Sequence, residues 1–321
     1  MVESGVTYNL HGLTVRSEHG LGAEPGHGKL DLAICNGEER RIAERPPANT
    51  VARVRFGTKW TWVCAGEARI KVGFSGTCEF VHEVGAGRLL VAKDPAADAR
   101  RVPRLIESSV LAVLLAFAGT PTLHASAVDI DGRAWALLGA SGAGKTTLAA
   151  WLCRYAGASL VTDDALRFDT DRDRPWCYRG TTTLRLREGA CALHASFPNG
   201  QIKPEVDGRL LVRPPVSAGH LPVQALLFPR PSRSLRRVRV EALTKRETLL
   251  EVLAYARAVG WTITEPLRLH FELAEYLSLR VPGFRLHVPW GPPFEASTAL
   301  QLREGIASAL AAARRRTLGP L

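Results

Sequence analysis

Gly139-Ala-Ser-Gly-Ala-Gly-Lys145-Thr146-Thr147 is the stretch that decides the fold, because it fits the pattern G-x-x-x-x-G-K-[ST]. An apolar run typical of a β-strand, Ala134–Leu138, leads into it. A helical pattern leads out of it, with Leu148, Leu152 and Tyr155 on one face. Strand, glycine-rich loop and helix in this order predict a phosphate-binding loop in an α/β domain.

The residue types of this stretch suit a nucleoside triphosphate. Glycines allow successive backbone N–H groups to turn inward on phosphates, and the N-terminus of the following helix favours negative charge. Lys145 can reach the β- and γ-phosphates, and the Thr146 hydroxyl can hold Mg²⁺. ATP and Mg²⁺ are therefore the expected cofactors. The predicted nucleotide-binding residues are Gly139, Ala140, Ser141, Gly142, Ala143, Gly144, Lys145, Thr146 and Thr147.

Length and composition indicate an ordinary globular protein of two domains, with 321 residues, 46% of them hydrophobic and 23% charged. Residues 1–30 mix charged, Gly and His positions, so they do not resemble a secretion signal. The longest apolar run, Val110–Ala118, is far shorter than the roughly 20 residues of a membrane span. We therefore expect a cytoplasmic protein without a membrane partner, whose six cysteines are reduced thiols.

The net charge of +11 raises the question of an acidic partner. Basic residues cluster between Arg230 and Arg239 and again at Arg314–Arg316. Neither cluster is interleaved with aromatic residues or accompanied by a recognition-helix pattern, which argues against nucleic acid. A solvated charged face is the plainer interpretation, and docking of an acidic peptide remains an alternative.

Two regions of different character follow one another along the chain. Residues 1–95 hold short alternating runs split by turn residues, which predicts an all-β module. Asp94-Pro-Ala-Ala-Asp98 marks a boundary, after which a helix is expected at Val102–Phe117 and strands then alternate with helices. We predict a β-rich substrate-recognition domain at residues 1–95 and a catalytic domain at residues 96–321, because the first region carries no phosphate-handling residues.

Two aspartates and a histidine complete the candidate site. Leu160-Val-Thr-Asp163-Asp164 puts adjacent carboxylates at the end of a short strand that follows the loop helix, so we expect them beside the phosphates. Because adjacent strand residues point to opposite sides, one carboxylate can face the metal and the other an incoming hydroxyl. A pair that merely caps a turn is the alternative. His124 starts the strand before the loop, where a catalytic role competes with that of a core histidine.

His124, the loop that ends in Lys145-Thr146, and Asp163-Asp164 together resemble the catalytic domain of the HPr kinase/phosphorylase family, which is akin to ATP-dependent PEP carboxykinases. That family reads His-Gly, then G-x-S-G-x-G-K-S-E, then L-[IV]-A-D-D. The spacing from histidine to lysine is the same here, and the spacing from lysine to the aspartates is one residue longer. The resemblance covers residues 120–170 clearly and implies a P-loop kinase core of this type with an N-terminal β-rich domain.

The resemblance also implies a reaction. Lys145 and Thr146 would bind phosphates and Mg²⁺, and Asp163 would act as general base toward a serine hydroxyl. Asp164 would help to place metal or substrate, and His124 would lie near the transferred phosphate. The candidate catalytic residues are thus Asp163, His124 and Lys145, and the candidate metal ligands are Thr146 and Asp164. A homo-oligomer is compatible with the resemblance.

The N-terminal half, with Tyr8-Asn-Leu-His-Gly-Leu-Thr-Val, resembles HPr-kinase-like proteins of peptide-modification gene clusters, some of which resemble lasso peptide kinases. The implied acceptor is a protein or a ribosomally made precursor peptide. The chain departs from the family in two places, since Ala125 replaces the glycine after the histidine and Thr147 replaces the acidic residue after the loop serine. A non-catalytic module that binds nucleotide and peptide is one alternative. A transporter-type ATPase is the other, although its L-S-G-G-Q signature does not occur.

Overall fold

The computed structural model describes residues 5–194, 197 and 208–318, without the side chains of residues 191, 194 and 316–318. It is a mixed α/β protein with several sheets, which confirms the predicted class at that level. The chain divides into two compact units. Met1–Thr122 and Arg257–His270 form the first unit, and Leu123–Ala256 and Phe271–Leu321 form the second.

The described part of the first unit contains a nine-stranded sheet in the order β3-β1-β2-β4-β9-β8-β7-β6-β5. Its strands are β1 Val6–Leu10, β2 Leu13–Ser17, β3 Glu24–Pro25, β4 Leu32–Glu39, β5 Thr50–Phe56, β6 Lys59–Ala65, β7 Arg69–Phe74, β8 Cys78–Glu83 and β9 Arg88–Lys93. The alternating runs predict most of them within a few residues. They miss the two-residue β3, and they miss β4, whose first four residues are all buried and therefore do not alternate.

A helical segment covers one face of this sheet. It consists of α1 (Val102–Leu105), a π-helical stretch (Ile106–Val110) and α2 (Leu111–Phe117). Ile106 and Leu111 are fully buried in one cluster with Phe80 of the sheet. The expected boundary at residues 95/96 therefore falls inside the first unit, because the apolar face of the helix needs the sheet to exclude water.

Trp62 belongs to the core on the opposite face of the same sheet. Its side chain is 1% exposed and clusters with Ile42 and Ala92. Gly73 pairs with Trp62 across β6 and β7, and a Cβ at Gly73 would lie 2.1 Å from Cε2 of the indole. Trp62 is thus packed as a core residue of the first unit.

In the second unit a larger set of strands surrounds the glycine-rich loop. β10 (Thr122–Leu123) crosses the sequence boundary between the units. The strands that follow are β11 Ala125–Ile130, β12 Arg133–Leu138, β13 Ser159–Thr162, β14 Leu166–Asp169, β15 Trp176–Cys177, β16 Leu184–Leu186, β17 Leu210–Val212, β18 Leu221–Ser232, β19 Arg239–Ala242 and β20 Gly283–Pro289. The helices are α3 Lys145–Tyr155, α4 Cys191–His194, α5 Lys245–Leu253 and α7 Ala296–Leu318. A further helix, α6 (Thr264–Arg280), begins in the first unit and continues into the second after His270. Within the described residues, no helix combines the length and apolarity that crossing a membrane requires.

The order of these strands brings three distant segments to one edge. The central part of the sheet runs β14-β15-β18-β12-β11-β13. β11 lies between β12 and β13 and is antiparallel to both, with Ala125 opposite Leu138 and Ala127 opposite Thr162. The start of β11 therefore meets the ends of β12 and β13. On the other flank β18 pairs in parallel with β12.

Buried residues on both faces hold this sheet in place. On one face, Leu148 and Leu152 of α3 pack with strand residues and with Leu302 of α7. On the other, Val252 of α5 and Leu277 of α6 belong to a second cluster with further strand residues. The two clusters fix the strand ends from which the loop and the aspartates project.

Candidate functional site

The glycine-rich loop, residues 139–144, joins the buried strand β12 to α3. Gly142 and Gly144 have φ of +88° and +86°, a backbone region that side chains with a Cβ rarely adopt. At Gly144 an added Cβ would also lie 2.5 Å from the ring of Trp290. The glycine at this position is thus required both by the turn and by the close approach of the indole.

Lys145 is the first residue of α3 and points back into the loop. Its side chain is buried, and Nζ donates hydrogen bonds to the backbone oxygens of Gly139 at 2.7 Å and Ala140 at 3.1 Å. The ammonium therefore lies inside the curve of the loop. Phosphate oxygens placed there would meet a positive charge and the N-terminus of an 11-residue helix.

Asp163 lies next to the loop and is tied to it by a hydroxyl. Thr146 Oγ1 donates to both carboxylate oxygens of Asp163, at 2.9 and 3.2 Å, and Ser126 Oγ donates to Oδ1. Thr181 holds the backbone, since its Oγ1 accepts from the Asp163 N–H and donates to the Asp163 carbonyl. Burial raises the pKa of Asp163, and the nearby charge of Asp164 acts in the same direction, against the hydrogen bonds that favour the ionised form.

Asp164 occupies a tight turn rather than a continuation of the strand. Its φ is +72°, and the N–H of Ala165 donates to the carbonyl of Asp163 at 3.0 Å across it. Such three-residue turns with positive φ are rare and strained, and strained residues cluster at functional sites. The turn directs the Asp164 carboxylate to a partly exposed position, while Asp163 stays buried.

His124 joins this outer carboxylate. Its Nε2 lies 3.2 Å from Oδ1 of Asp164, and its ring is about a quarter exposed. The His124 backbone N–H donates to the carbonyl of Tyr255 at 2.8 Å, which fixes the start of β11. His124 is therefore not an enclosed core histidine. The structure brings all the sequence-predicted site residues to the same edge of the sheet.

The site contains three further residues that sequence patterns did not indicate. Ser126 and Thr181 orient Asp163, as described above. Arg187, which directly follows β16, donates from Nη2 to Ser141 Oγ at the outer turn of the loop at 3.2 Å. Its Nη1 lies 3.8 Å from where a Cβ of Gly142 would stand. Arg187 carries no motif, and only its contact with the loop reveals it.

The donor set suits Mg²⁺ better than a protein-only metal cage. Among the described residues, no group of three or more His, Cys, Asp and Glu side chains is arranged to hold an ion. Mg²⁺ usually binds one or two protein oxygens and takes its remaining ligands from phosphates and water. The Thr146 hydroxyl and the two carboxylates offer that partial shell. Thr147, which follows the loop threonine, is partly buried and adds no charge.

Comparison with known proteins shows a distant likeness of fold. No protein-family model matches the chain, and no curated protein matches it. Among solved structures, the HPr(Ser) kinase/phosphatase from Coxiella burnetii is similar, with 13% sequence identity and a TM-score of 0.34. The match covers 62% of this chain and 99% of that chain. The similarity is a remote one of fold.

Proposed function

We propose that this protein is a kinase that transfers the γ-phosphoryl group of Mg·ATP to a serine hydroxyl of a protein or precursor peptide. The observation that carries the proposal is the pairing of Thr146 with the buried Asp163, beside Asp164 and His124. A phosphate-binding loop alone serves many proteins. A loop hydroxyl joined to one carboxylate, with a second carboxylate turned outward, adds the metal and proton-accepting groups that phosphoryl transfer requires.

Lys145 and the loop form the phosphate cradle in this proposal. When the nucleotide binds, the Lys145 ammonium gives up its hydrogen bonds to the Gly139 and Ala140 carbonyls. It donates instead to oxygens of the β- and γ-phosphates, which accept stronger, charge-assisted hydrogen bonds. Thr146 and Asp164 hold Mg²⁺, and His124 lies near the transferred group. When bound, Mg²⁺ neutralises charge that develops on the phosphate oxygens.

Asp163 takes the role of general base. Its burial raises its pKa toward the operating pH, which is the direction that makes a carboxylate a better proton acceptor. An alternative assignment follows from the hydrogen bond from Thr146, in which Asp163 helps to hold Mg²⁺ while Asp164 and His124 face the acceptor. The two assignments predict different kinetics for the variants Asp163→Asn and Asp164→Asn.

The first unit is the part of the chain that we assign to acceptor recognition. Every phosphate-handling residue named above belongs to the second unit. Holding a flexible peptide at a separate surface raises the local concentration of its serine at the site. Removing residues 1–95 would remove the sheet against which the helical segment at residues 102–117 and part of residues 257–270 pack. Point substitutions on the first unit are therefore the better test.

The proposal is tested by incubating the protein with Mg²⁺, γ-labelled ATP and serine-containing peptides or proteins. Label on a serine of an acceptor supports a kinase. ATP binding without transfer to any acceptor favours the alternative of a non-catalytic nucleotide-binding module.

Arg187 is expected to act on the transferred phosphoryl group, because its guanidinium reaches the outer turn of the loop. Arg187→Ala should lower kcat by about 10²-fold, the usual cost of removing one donor to developing charge. The Kd for ATP should change far less, and Arg187→Lys should recover part of the loss. Arg154→Ala removes the same charge from the far end of α3 and serves as control. A rate loss equal in both alanine variants contradicts a specific role for Arg187.

A further inference from the structure

A cavity opens beside the glycine-rich loop, next to the end of β18. It has a volume of about 450 Å³, within the range of small-molecule sites, and it reaches Ala140 and Ala143 of the loop. Apolar rings, an aliphatic side chain and two hydroxyls make up most of its wall. These residues are Pro229, Pro231, Leu235, Tyr255, Ser232 and Ser234.

The position of the cavity follows from the strand order. The wall residues Pro229–Ser232 end β18, which flanks β12 on one side, while β11 and β13 flank it on the other. Pro229 approaches the beginning of the loop, since its Cδ lies 3.9 Å from where a Cβ of Gly139 would stand. The carboxylates thus follow β13, on one side of β12, whereas the cavity borders β18 on the other side and reaches Tyr255, whose carbonyl accepts from the His124 N–H.

The charged groups in the cavity wall already bind acidic partners. Arg230 Nη2 donates to both carboxylate oxygens of Glu251, at 2.7 and 2.9 Å, and His287 Nε2 lies 3.0 Å from Glu241 Oε2. A phosphate or carboxylate in the cavity would have to compete with these carboxylates. The wall therefore suits an uncharged ligand with rings and hydroxyl groups.

We propose that this cavity binds the nucleoside, base and ribose together, of the nucleotide whose phosphates occupy the loop. The inference rests on the proposed function, because in phosphoryl transfer the attacking and leaving oxygens are roughly in line. The acceptor hydroxyl approaches from the flank of Asp163 and Asp164. The leaving group and its nucleoside then lie on the β18 flank. The prolines and Tyr255 contact the base, and the hydroxyls of Ser232 and Ser234 bond the ribose.

The test compares Mg·ATP with Mg·tripolyphosphate, which carries the phosphates without a nucleoside. Leu235→Trp fills the cavity and should weaken ATP binding by at least about tenfold, or about 1.4 kcal/mol, in calorimetry. The Kd for tripolyphosphate should stay within about twofold, because its contacts with the loop remain. The matched control is Leu250→Trp, at an exposed position on α5 outside the cavity, which should change neither Kd.

Unchanged ATP affinity in Leu235→Trp overturns the nucleoside assignment and leaves the loop and the kinase proposal standing. An equal loss for ATP and tripolyphosphate overturns it as well, because the cavity would then act through the loop. Wild-type protein that binds neither ligand overturns the proposed function together with this inference. Ser234→Tyr, at an exposed position of the wall, repeats the test should Leu235→Trp not fold.

Discussion

Lys145→Ala is expected to lower phosphoryl transfer by about 10³-fold or more, since it removes the positive charge that meets the β- and γ-phosphates. The Kd for Mg·ATP should rise as well, as should the Kd for Mg·tripolyphosphate. The fold should persist, because water can replace the hydrogen bonds that the side chain donates to the Gly139 and Ala140 carbonyls. Circular dichroism and thermal unfolding check the fold, and single-turnover transfer with calorimetry checks the function.

Lys245→Ala provides the control for this experiment. Lys245 is also the first residue of a helix, α5, but it is exposed and lies outside the loop. The Lys245→Ala variant should keep both the Kd for Mg·ATP and the rate of phosphoryl transfer within about twofold of wild type, the usual range for a surface change. Normal binding and turnover of ATP by the Lys145→Ala protein would contradict the assignment of the loop as the phosphate-binding site.

Asp163→Asn should lower the transfer rate by about 10²–10⁴-fold with nucleotide binding roughly retained, because an amide of the same shape cannot accept a proton. It keeps an oxygen that can accept the hydrogen bond from Thr146. Asp164→Asn should instead raise the Mg²⁺ concentration needed for half-maximal rate. The two roles are exchanged if Asp164→Asn lowers only the transfer rate and Asp163→Asn raises the Mg²⁺ concentration needed for half-maximal rate.

The pH profile gives an independent check on the general base. A base works only when ionised, so the rate should fall as the pH drops through its pKa. Because burial raises the pKa of Asp163, this acidic limb should lie above that of an ordinary aspartate. In Asp163→Asn the residual rate should lose the limb. A limb that persists in Asp163→Asn and disappears in Asp164→Asn again exchanges the two roles.

Local patterns in the sequence predict the loop, because its glycines and Lys145 act within nine consecutive residues between a strand and a helix. They also predict the short strand that is β13 in the structure, with the aspartate pair at its end. They do not predict that β11 separates β12 from β13, since strand order depends on packing between distant segments. Nor do they predict the positive φ of Asp164, because an aspartate rarely adopts that backbone conformation.

Other parts of the site depend on segments far apart in the chain. Arg187 meets Ser141 across 46 residues, and Trp290 covers Gly144 from still farther along. Neither residue belongs to a motif, so no pattern in one sequence marks it. The limits of the two compact units depend on the same kind of distant contact. Residues 257–270 return to the first unit, where Trp261 packs edge-on against Phe117, and composition near residue 95 carries no trace of that contact.

The central claim is that the γ-phosphoryl group passes to a serine hydroxyl and not to water. The most direct measurement incubates the full chain with Mg²⁺, γ-labelled ATP and acceptor peptides, and follows ADP, inorganic phosphate and phosphoserine together by chromatography and mass spectrometry. The account predicts about one phosphoserine for each ADP formed, with the label lost in Lys145→Ala and strongly reduced in Asp163→Asn. ADP that forms with an equal amount of inorganic phosphate and no phosphoserine, at the same rate with and without acceptors, would contradict it.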